Sequence, residues 1–90
     1  TDLMAIGALD ALRIDLSIAV PEQIQVLGFD DIEQANWGSF NLSTIRQDVD
    51  AQTYTVVRLL KERIADNTLA NRVERQRLTV VLRGTTLHDG

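Results

Sequence analysis

The chain has 90 residues, with 13 acidic residues against 9 lysines and arginines, 44% hydrophobic residues and no cysteine. No stretch approaches the roughly 18 consecutive apolar residues of a membrane-spanning helix, and the lack of cysteine excludes a disulfide framework, a thiolate zinc site and a cysteine nucleophile. The single histidine, His88, argues against histidine-dependent metal or triad chemistry. These numbers leave room for at most one small, mildly acidic domain.

The charge is unevenly distributed along the chain. Residues 1–45 carry seven acidic residues and one basic residue, whereas residues 46–90 carry six acidic and eight basic residues. The densest basic stretch contains Arg72, Arg75 and Arg77, but Glu74 interrupts it. A DNA-binding surface usually has a concentrated basic face, and a solvated connection between elements is the simpler interpretation of this stretch. We therefore do not expect these 90 residues to bind DNA themselves.

The first predicted element is a helix that runs to about Leu16. Thr1 or Asp2 is its predicted N-cap, good helix formers follow, and Pro21 breaks the pattern beyond its end. The apolar residues of this helix lie on more than one face, so it needs burial on two sides. Because the chain enters the helix without a methionine start or a lead-in loop, we expect it to begin inside a longer protein.

A short, largely buried strand is predicted over residues 24–29, and Asp30 and Asp31 follow it directly. Ligands of open α/β sheets bind beyond the carboxyl ends of the strands, so this acidic pair is the first candidate site. The Asp30 carboxylate can accept hydrogen bonds from sugar hydroxyls or a ring N–H. Asp31 is predicted to accept from local backbone N–H groups in an Asx-type turn. A metal site would need further oxygen ligands that nothing nearby supplies.

Residues 33–41 form a predicted loop with two aromatic anchors, Trp37 and Phe40. Trp37 is predicted to act as a packing or dimer anchor or, alternatively, as a wall of a binding cleft. A short extended segment follows over residues 42–46. At its end, Arg46 is predicted to pair on the surface with Asp48 or Asp50.

The second predicted helix covers about Asp50 to Ala65, with one apolar stripe and one charged face. Asp48 or Asp50 is its predicted N-cap. A polar stretch then leads to a last strand over residues 78–82. The order of helix, strand, extended segment, helix and strand predicts the trailing part of an α/β domain with a parallel sheet. Two strands and two helices cannot cover one another, so we expect the missing surfaces to come from a longer chain or another copy.

Five motifs in order carry a family resemblance: Asp2-Leu3-Met4-Ala5-Ile6-Gly7-Ala8-Leu9, Val20-Pro21-Glu22, Val26-Leu27-Gly28-Phe29-Asp30-Asp31-Ile32, Leu42-Ser43-Thr44-Ile45-Arg46-Gln47-Asp48 and Val81-Leu82-Arg83-Gly84-Thr85-Thr86. Together they resemble the C-terminal third of the effector-binding core of lactose-repressor/galactose-repressor family regulators. The resemblance implies an α/β fold that is part of a periplasmic-binding-protein-like (type I) domain, with helix, strand, crossover, helix and strand and parallel sheet elements from two subdomains. About residues 1–45 and 77–86 would belong to the C-terminal subdomain and about 46–76 to the N-terminal one.

By this resemblance the chain is the effector-sensing part of a cytoplasmic regulator of repressor type, which is not an enzyme and needs no cofactor or metal. A small sugar-like effector would bind in a cleft between subdomains and control operator binding allosterically. Operator DNA would be held only by an N-terminal helix-turn-helix that this chain does not contain. The regulator would be a homodimer without membrane contact.

The resemblance also carries residue roles. Asp30 matches the family's effector-contacting aspartate, and Gln47 matches a crossover position that reaches the effector or the cleft in some members. Thr1 stands where many members have an asparagine that contacts the effector, and Trp37 completes the predicted ligand-binding set. The predicted dimer interface comprises Ile6, Leu9, Gln34 and Trp37. Ser17 stands where the family commonly has a glycine suited to a left-handed helix end.

Two other classes of protein remain open at this stage. A periplasmic-type sugar-binding protein would share the core fold but lack a DNA-binding domain, and only sequence upstream of Thr1 distinguishes it from a regulator. An enzyme could use Asp30 and Asp31 with Mg²⁺, for example with an aspartate as phosphoryl acceptor, and it would show metal-dependent activity.

Overall fold

The structure is a computed structural model, and it describes residues 1–88 of the chain. Helix α1 spans Asp2–Asp10 and continues as a π-helical turn over Ala11–Asp15, and a short 3-10 helix covers Glu33–Asn36. Strand β1 (Thr44–Gln47), helix α2 (Val49–Ala65) and strand β2 (Leu78–Val81) follow. None of the helices in this described part is long and apolar enough to cross a membrane.

The chain divides into two compact units. The first unit comprises Thr1–Gln47 together with the chain from Thr79 onward, and the second comprises Asp48–Leu78. These limits lie close to the predicted limits of the two subdomain segments. The assignment of the units to a C-terminal and an N-terminal subdomain stays a prediction.

Helix α1 and the π-helical turn that continues it begin and end where local sequence signals place them. The Thr1 hydroxyl caps its start by accepting a hydrogen bond from the Met4 N–H at 3.3 Å. At the other end, Ser17 adopts a left-handed conformation with φ 51°, and the Ile18 N–H donates to the Leu12 carbonyl at 2.7 Å. A left-handed residue directly after the last turn is a common way to end a helix. The predicted N-cap and the predicted end near Leu16 are confirmed.

The hydrophobic core lies in the first unit, where α1 packs its Ala5 and Leu9 side chains inward. The buried residues of this cluster are Ala5, Leu9, Val20, Val26, Ala35 and Leu42. On other parts of α1 the apolar side chains of Leu3 and Met4 remain 68% and 74% exposed. The described chain thus covers one side of this helix and leaves apolar surface on another.

The predicted strand over residues 24–29 is an extended segment whose ladder is reduced to one parallel bridge between Leu27 and Ser43, and its predicted burial is wrong, since within it only positions 26 and 28 are buried. The Gly28 N–H donates to the Ser43 carbonyl at 2.9 Å, and the Asp30 N–H donates to the Ile45 carbonyl at 2.8 Å. The two named strands, β1 and β2, instead pair in an antiparallel manner. The parallel sheet of the complete fold stays a prediction.

Helix α2 dominates the second unit. The Asp48 carboxylate caps it by accepting from the Ala51 N–H at 3.0 Å, which confirms the predicted cap. The apolar stripe is present, but none of the residues of α2 is buried among those described, and Ile64 is 83% exposed. This stripe is apolar surface that the described chain leaves open to solvent.

Candidate functional site

Asp30 and Gln47, which are far apart in the chain, meet at the end of the extended segment in the first unit. The Asp30 N–H is bonded to the Ile45 carbonyl, which aligns the segment with β1 and brings Asp30 alongside Gln47. The Gln47 side-chain amide donates to Asp30 Oδ1 at 2.9 Å. The structure therefore joins the two residues that the sequence placed first in the candidate site.

The Asp30 carboxylate keeps accepting capacity beyond this bond. It is exposed, and within residues 1–88 its Oδ2 accepts no hydrogen bond. An ionised carboxylate accepts several hydrogen bonds, and an amide such as that of Gln47 both donates and accepts. Asp30 can therefore offer acceptors to a molecule that carries hydroxyl groups, beside the Gln47 amide.

Asp31 has a different role from its neighbour. Its carboxylate lies between two guanidinium groups, with Oδ2 at 2.8 Å from Arg46 Nε and Oδ1 at 2.9 Å from Arg83 Nη1. The side chain is only 10% exposed. Burial raises the pKa of Asp31, but the hydrogen bonds and positive charges of Arg46 and Arg83 outweigh it and hold the pKa below its ordinary value.

These contacts correct two predictions. Arg46 pairs with Asp31 rather than with Asp48 or Asp50, because the alignment of β1 with the segment before it brings residues 31 and 46 together. The Asp31 carboxylate binds arginine side chains instead of backbone N–H groups of its own turn. The acidic pair thus separates into an exposed carboxylate and a neutralised one. Among the described residues no three histidine, cysteine or acidic side chains gather as a metal site.

Asp2, which the sequence predicts only as a possible helix cap, is a structural carboxylate at this end of the first unit. It is fully buried, with Oδ1 accepting from the Thr44 hydroxyl at 2.6 Å and Oδ2 from the Ile32 N–H at 2.8 Å. The Thr44 hydroxyl oxygen in turn accepts from the Asp31 N–H at 3.3 Å. No sequence signal distinguishes such a residue from an ordinary first-turn aspartate, because its partners come from distant segments.

Thr1 lies close to the candidate site because the next residue, Asp2, is bonded to the segment that ends at Asp30. The Asp2 N–H donates to the carbonyl of Phe29, the residue before Asp30, at 3.1 Å. This bond brings the start of α1 to the end of the extended segment, while the Thr1 hydroxyl itself caps the helix. Its predicted role in ligand binding stays a prediction.

Trp37 belongs to a separate aromatic pair. Its ring stacks on that of Phe40, with centroids 6.4 Å apart and planes at 21°, and it is 52% exposed. The Trp37 backbone N–H donates to the Gln34 carbonyl, which closes the 3-10 turn before it. No hydrogen bond within residues 1–88 links its side chain to Asp30, so its place in the ligand-binding set stays a prediction.

The predicted dimer interface needs one correction. Leu9 has no exposed surface because it packs into the core, so it has none to offer a second copy in this fold. Ile6 and Gln34 are half-buried, and Trp37 retains exposed ring surface. These three residues remain candidates for the interface.

Comparison with known proteins identifies the family of the chain. Residues 1–86 match the family described as "Periplasmic binding protein-like domain". The chain belongs to the lactose-repressor/galactose-repressor family. Its relatives include the HTH-type transcriptional regulator GalR of Lacticaseibacillus casei, 34% identical over 96% of this chain and 26% of that protein. The HTH-type transcriptional repressor PurR of Aliivibrio fischeri (strain MJ11) is 36% identical over 97% of this chain and 26% of its own length.

Solved structures of the lactose-repressor/galactose-repressor family show the same fold. A LacI-type transcription regulator from Bifidobacterium animalis subsp. lactis superposes with a TM-score of 0.80 at 36% identity, over 98% of this chain and 31% of that one. The lac repressor dimer bound to operator and the anti-inducer ONPF superposes with a TM-score of 0.81 at 30% identity, over 98% and 30% of the two chains. The chain therefore forms part of a type I periplasmic-binding-protein-like fold and spans about a quarter of the length of the curated relatives it matches.

Proposed function

We propose that this chain is part of the effector-binding domain of a DNA-binding transcriptional regulator of repressor type. The observation that carries the proposal is the exposed Asp30 carboxylate bonded to Gln47 at the end of the extended segment, in a chain of this family. Operator DNA is bound by an N-terminal helix-turn-helix outside these residues, and the regulator acts in the cytoplasm without enzymatic activity. The relatives named above are transcriptional regulators, which supports this choice over a periplasmic sugar-binding protein.

The effector in this proposal is a small polyhydroxy compound, a sugar or a sugar derivative. Asp30 accepts hydrogen bonds from two hydroxyl groups of the effector. The Gln47 amide then gives up its bond to Asp30 and bonds to the effector alongside Asp30. A hydrogen bond to a charged group contributes about 1.5–3 kcal/mol. Thr1 at the neighbouring helix start and the ring of Trp37 complete the ligand-binding set.

The proposed regulation follows from differential binding. An effector that binds one conformation of the domain better than another shifts the population toward it, and a coupling free energy of about 1–3 kcal/mol is typical. In a homodimer this shift changes the spacing of the two DNA-binding domains on the operator. Ile6, Gln34 and Trp37 contribute to the proposed dimer interface.

The experiment is a thermal-shift screen of the full-length protein with a panel of monosaccharides and disaccharides, repeated on the Asp30→Asn variant. Asparagine keeps the size and shape of the side chain, so it adds no backbone strain beyond that of Asp30 at φ 124°, and it removes the charge. Glu22→Gln, an equal change of charge in an exposed turn, is the control. We expect a sugar to stabilise the wild type and the control and to stabilise Asp30→Asn much less. An unchanged shift in Asp30→Asn would show that the site is wrong.

The dimer is tested separately by sedimentation velocity of full-length protein with Trp37→Ser. A serine removes the exposed ring, and we expect the dimer to dissociate at concentrations where the wild type stays associated. Tyr54→Ser, which removes a 71% exposed ring from α2, is the control. Equal dimer populations in all three proteins would exclude Trp37 from the interface.

A further inference from the structure

The acidic residue after Asp30 lies in a setting that a ligand-binding residue does not need. Asp31 forms ion pairs with Arg46 and Arg83. Its side chain is only 10% exposed, so the carboxylate in both ion pairs is largely shielded from water. Arg83 is itself 13% exposed, and the same Nη1 that contacts Asp31 donates to the Leu42 carbonyl at 2.8 Å. This guanidinium therefore ties the turn at residues 30–31 to the backbone of buried Leu42, shortly before β1.

The ion pair runs beside the candidate site, one residue away on both segments. Asp31 contacts Arg46 at 2.8 Å, and their neighbours Asp30 and Gln47 are bonded at 2.9 Å. The Asp30 N–H to Ile45 carbonyl bond lies on the same pair of segments. The ion pair and the amide bond are thus successive connections between the turn and β1.

The backbone of the turn makes such a restraint necessary. Asp30 has φ 124° and Asp31 has φ 58°, two successive non-glycine residues in a region that L-residues rarely adopt. Residues held in such conformations cost free energy and persist only where surrounding contacts fix them. Backbone bonds from Asp30 and Ile32 hold the ends of this turn, and Asp31 itself is fixed by the two arginines on its side chain and by the Thr44 hydroxyl on its N–H.

We propose that Asp31, clamped between Arg46 and Arg83, is a positioning residue that sets the Asp30–Gln47 geometry and thereby the affinity of the effector site. The proposal rests on the proposed function for its effect on affinity, but its geometric part stands without any effector. Loss of the clamp lets the turn relax toward negative φ, and Asp30 Oδ1 then separates from Gln47 Nε2.

The test combines crystal structures and sugar titrations of the full-length protein. In Asp31→Asn we expect the Asp30–Gln47 separation to exceed hydrogen-bond distance and the affinity for the best sugar of the panel to fall about tenfold or more. If Asp31→Asn does not fold, Arg46→Gln, which removes the more exposed partner, replaces it in the test. We expect the same effects from Arg46→Gln to a smaller degree. Arg46→Lys keeps the charge, and we expect it to retain much of the affinity that Arg46→Gln loses. Arg75→Gln, a loss of charge elsewhere, leaves both measurements unchanged.

The outcomes separate the two proposals. If Asp31→Asn and Arg46→Gln keep the Asp30–Gln47 bond and the wild-type conformation of the turn, the positioning role is wrong, whatever binds. If the bond is lost but no sugar binds even the wild type, the positioning role holds and the proposed ligand class fails. Reduced thermal stability with unchanged affinity and geometry would reduce Asp31 to a structural ion pair and overturn the proposal.

Discussion

The carboxylate of Asp2 and the hydroxyl of Thr44 form a hydrogen bond of 2.6 Å in which both side chains are fully buried. The bond connects the first turn of α1 to the first residue of β1. A buried charge needs such partners, because an ionised group without them loses its hydration and gains nothing in return. The pair therefore joins the start of the chain to the segment that carries Gln47.

The first prediction removes the Thr44 hydroxyl. Thr44→Val keeps the shape but leaves one Asp2 oxygen buried without its donor, and we expect the free energy of unfolding to fall by roughly 2–3 kcal/mol. Urea denaturation followed by circular dichroism measures this. Thr79→Val, the same change at an exposed position of β2, should stay within about 0.5 kcal/mol of the wild type. Equal stability of the two variants would contradict the buried role of Thr44.

The second prediction compares two glycines. A Cβ at Gly28 would overlap Asp2 Oδ1 and lie 2.9 Å from Leu42 Cδ2, so Gly28→Ala should destabilise the protein by about 3 kcal/mol or more. A Cβ at Gly7 meets nothing within 4 Å, and because alanine is the better helix former, Gly7→Ala should raise stability by up to about 1 kcal/mol. Thermal unfolding of both variants checks the opposite signs. A tolerated Gly28→Ala would mean that Asp2 can move without cost.

The third prediction concerns pH. Because Arg46 and Arg83 hold the pKa of Asp31 below its ordinary value, the ion pairs stabilise the folded state fully above the unfolded pKa of about 3.9. This stability is lost as the pH falls through the lower folded-state pKa. Asp31→Asn should therefore be less stable than wild type at neutral pH, and the difference should shrink under acid conditions.

Urea denaturation at a series of pH values from neutral to acid measures this difference. Glu22→Gln is the control, because its exposed side chain makes no ion pair with the described residues and should leave stability near that of wild type at neutral pH. A difference for Asp31→Asn that stays constant down to the lowest pH would show that the charge of Asp31 contributes no stability.

The fourth prediction relieves the left-handed residue after the first helix. Ser17 has φ 51°, which glycine adopts without the steric cost of a Cβ, so Ser17→Gly should stabilise the protein by about 1 kcal/mol. Ser39→Gly, in an exposed loop, should be neutral or slightly destabilising because it only increases the freedom of the unfolded chain. Differential scanning calorimetry of both variants provides the comparison. A lower melting temperature for Ser17→Gly would contradict it.

Features that depend on neighbours in the chain were predicted well. Thr1 and Asp48 cap their helices through bonds to residues three positions later, and such spacing is visible in the sequence. The apolar run before Asp30 predicts the extended segment, although its ladder is reduced to one bridge, with backbone bonds to the carbonyls of Ser43, Ile45 and Thr85. The sequence predicts Asp30 as a site residue because a carboxylate at a strand end is a recurrent ligand position.

Features that depend on contacts between distant parts of the chain could not be predicted from the sequence. Leu9 looked like one of several apolar residues on a helix with two apolar sides, and only the packing shows that it is wholly buried. Arg46 has acidic residues close by in sequence at positions 48 and 50, yet its partner is Asp31. Asp2 resembled an ordinary residue of a first helical turn and is a buried acceptor for Thr44 and Ile32.

The 90-residue sequence by itself determined the family, the helix limits and the choice of Asp30 and Gln47, because these follow from local patterns and ordered motifs. It also indicated that two helices and two strands cannot cover one another's apolar faces. Only the tertiary structure decided how the two adjacent aspartates divide their roles. Asp30 stays open to solvent while Asp31 is neutralised, because Arg83 and Arg46 come from segments that only folding brings to the same turn.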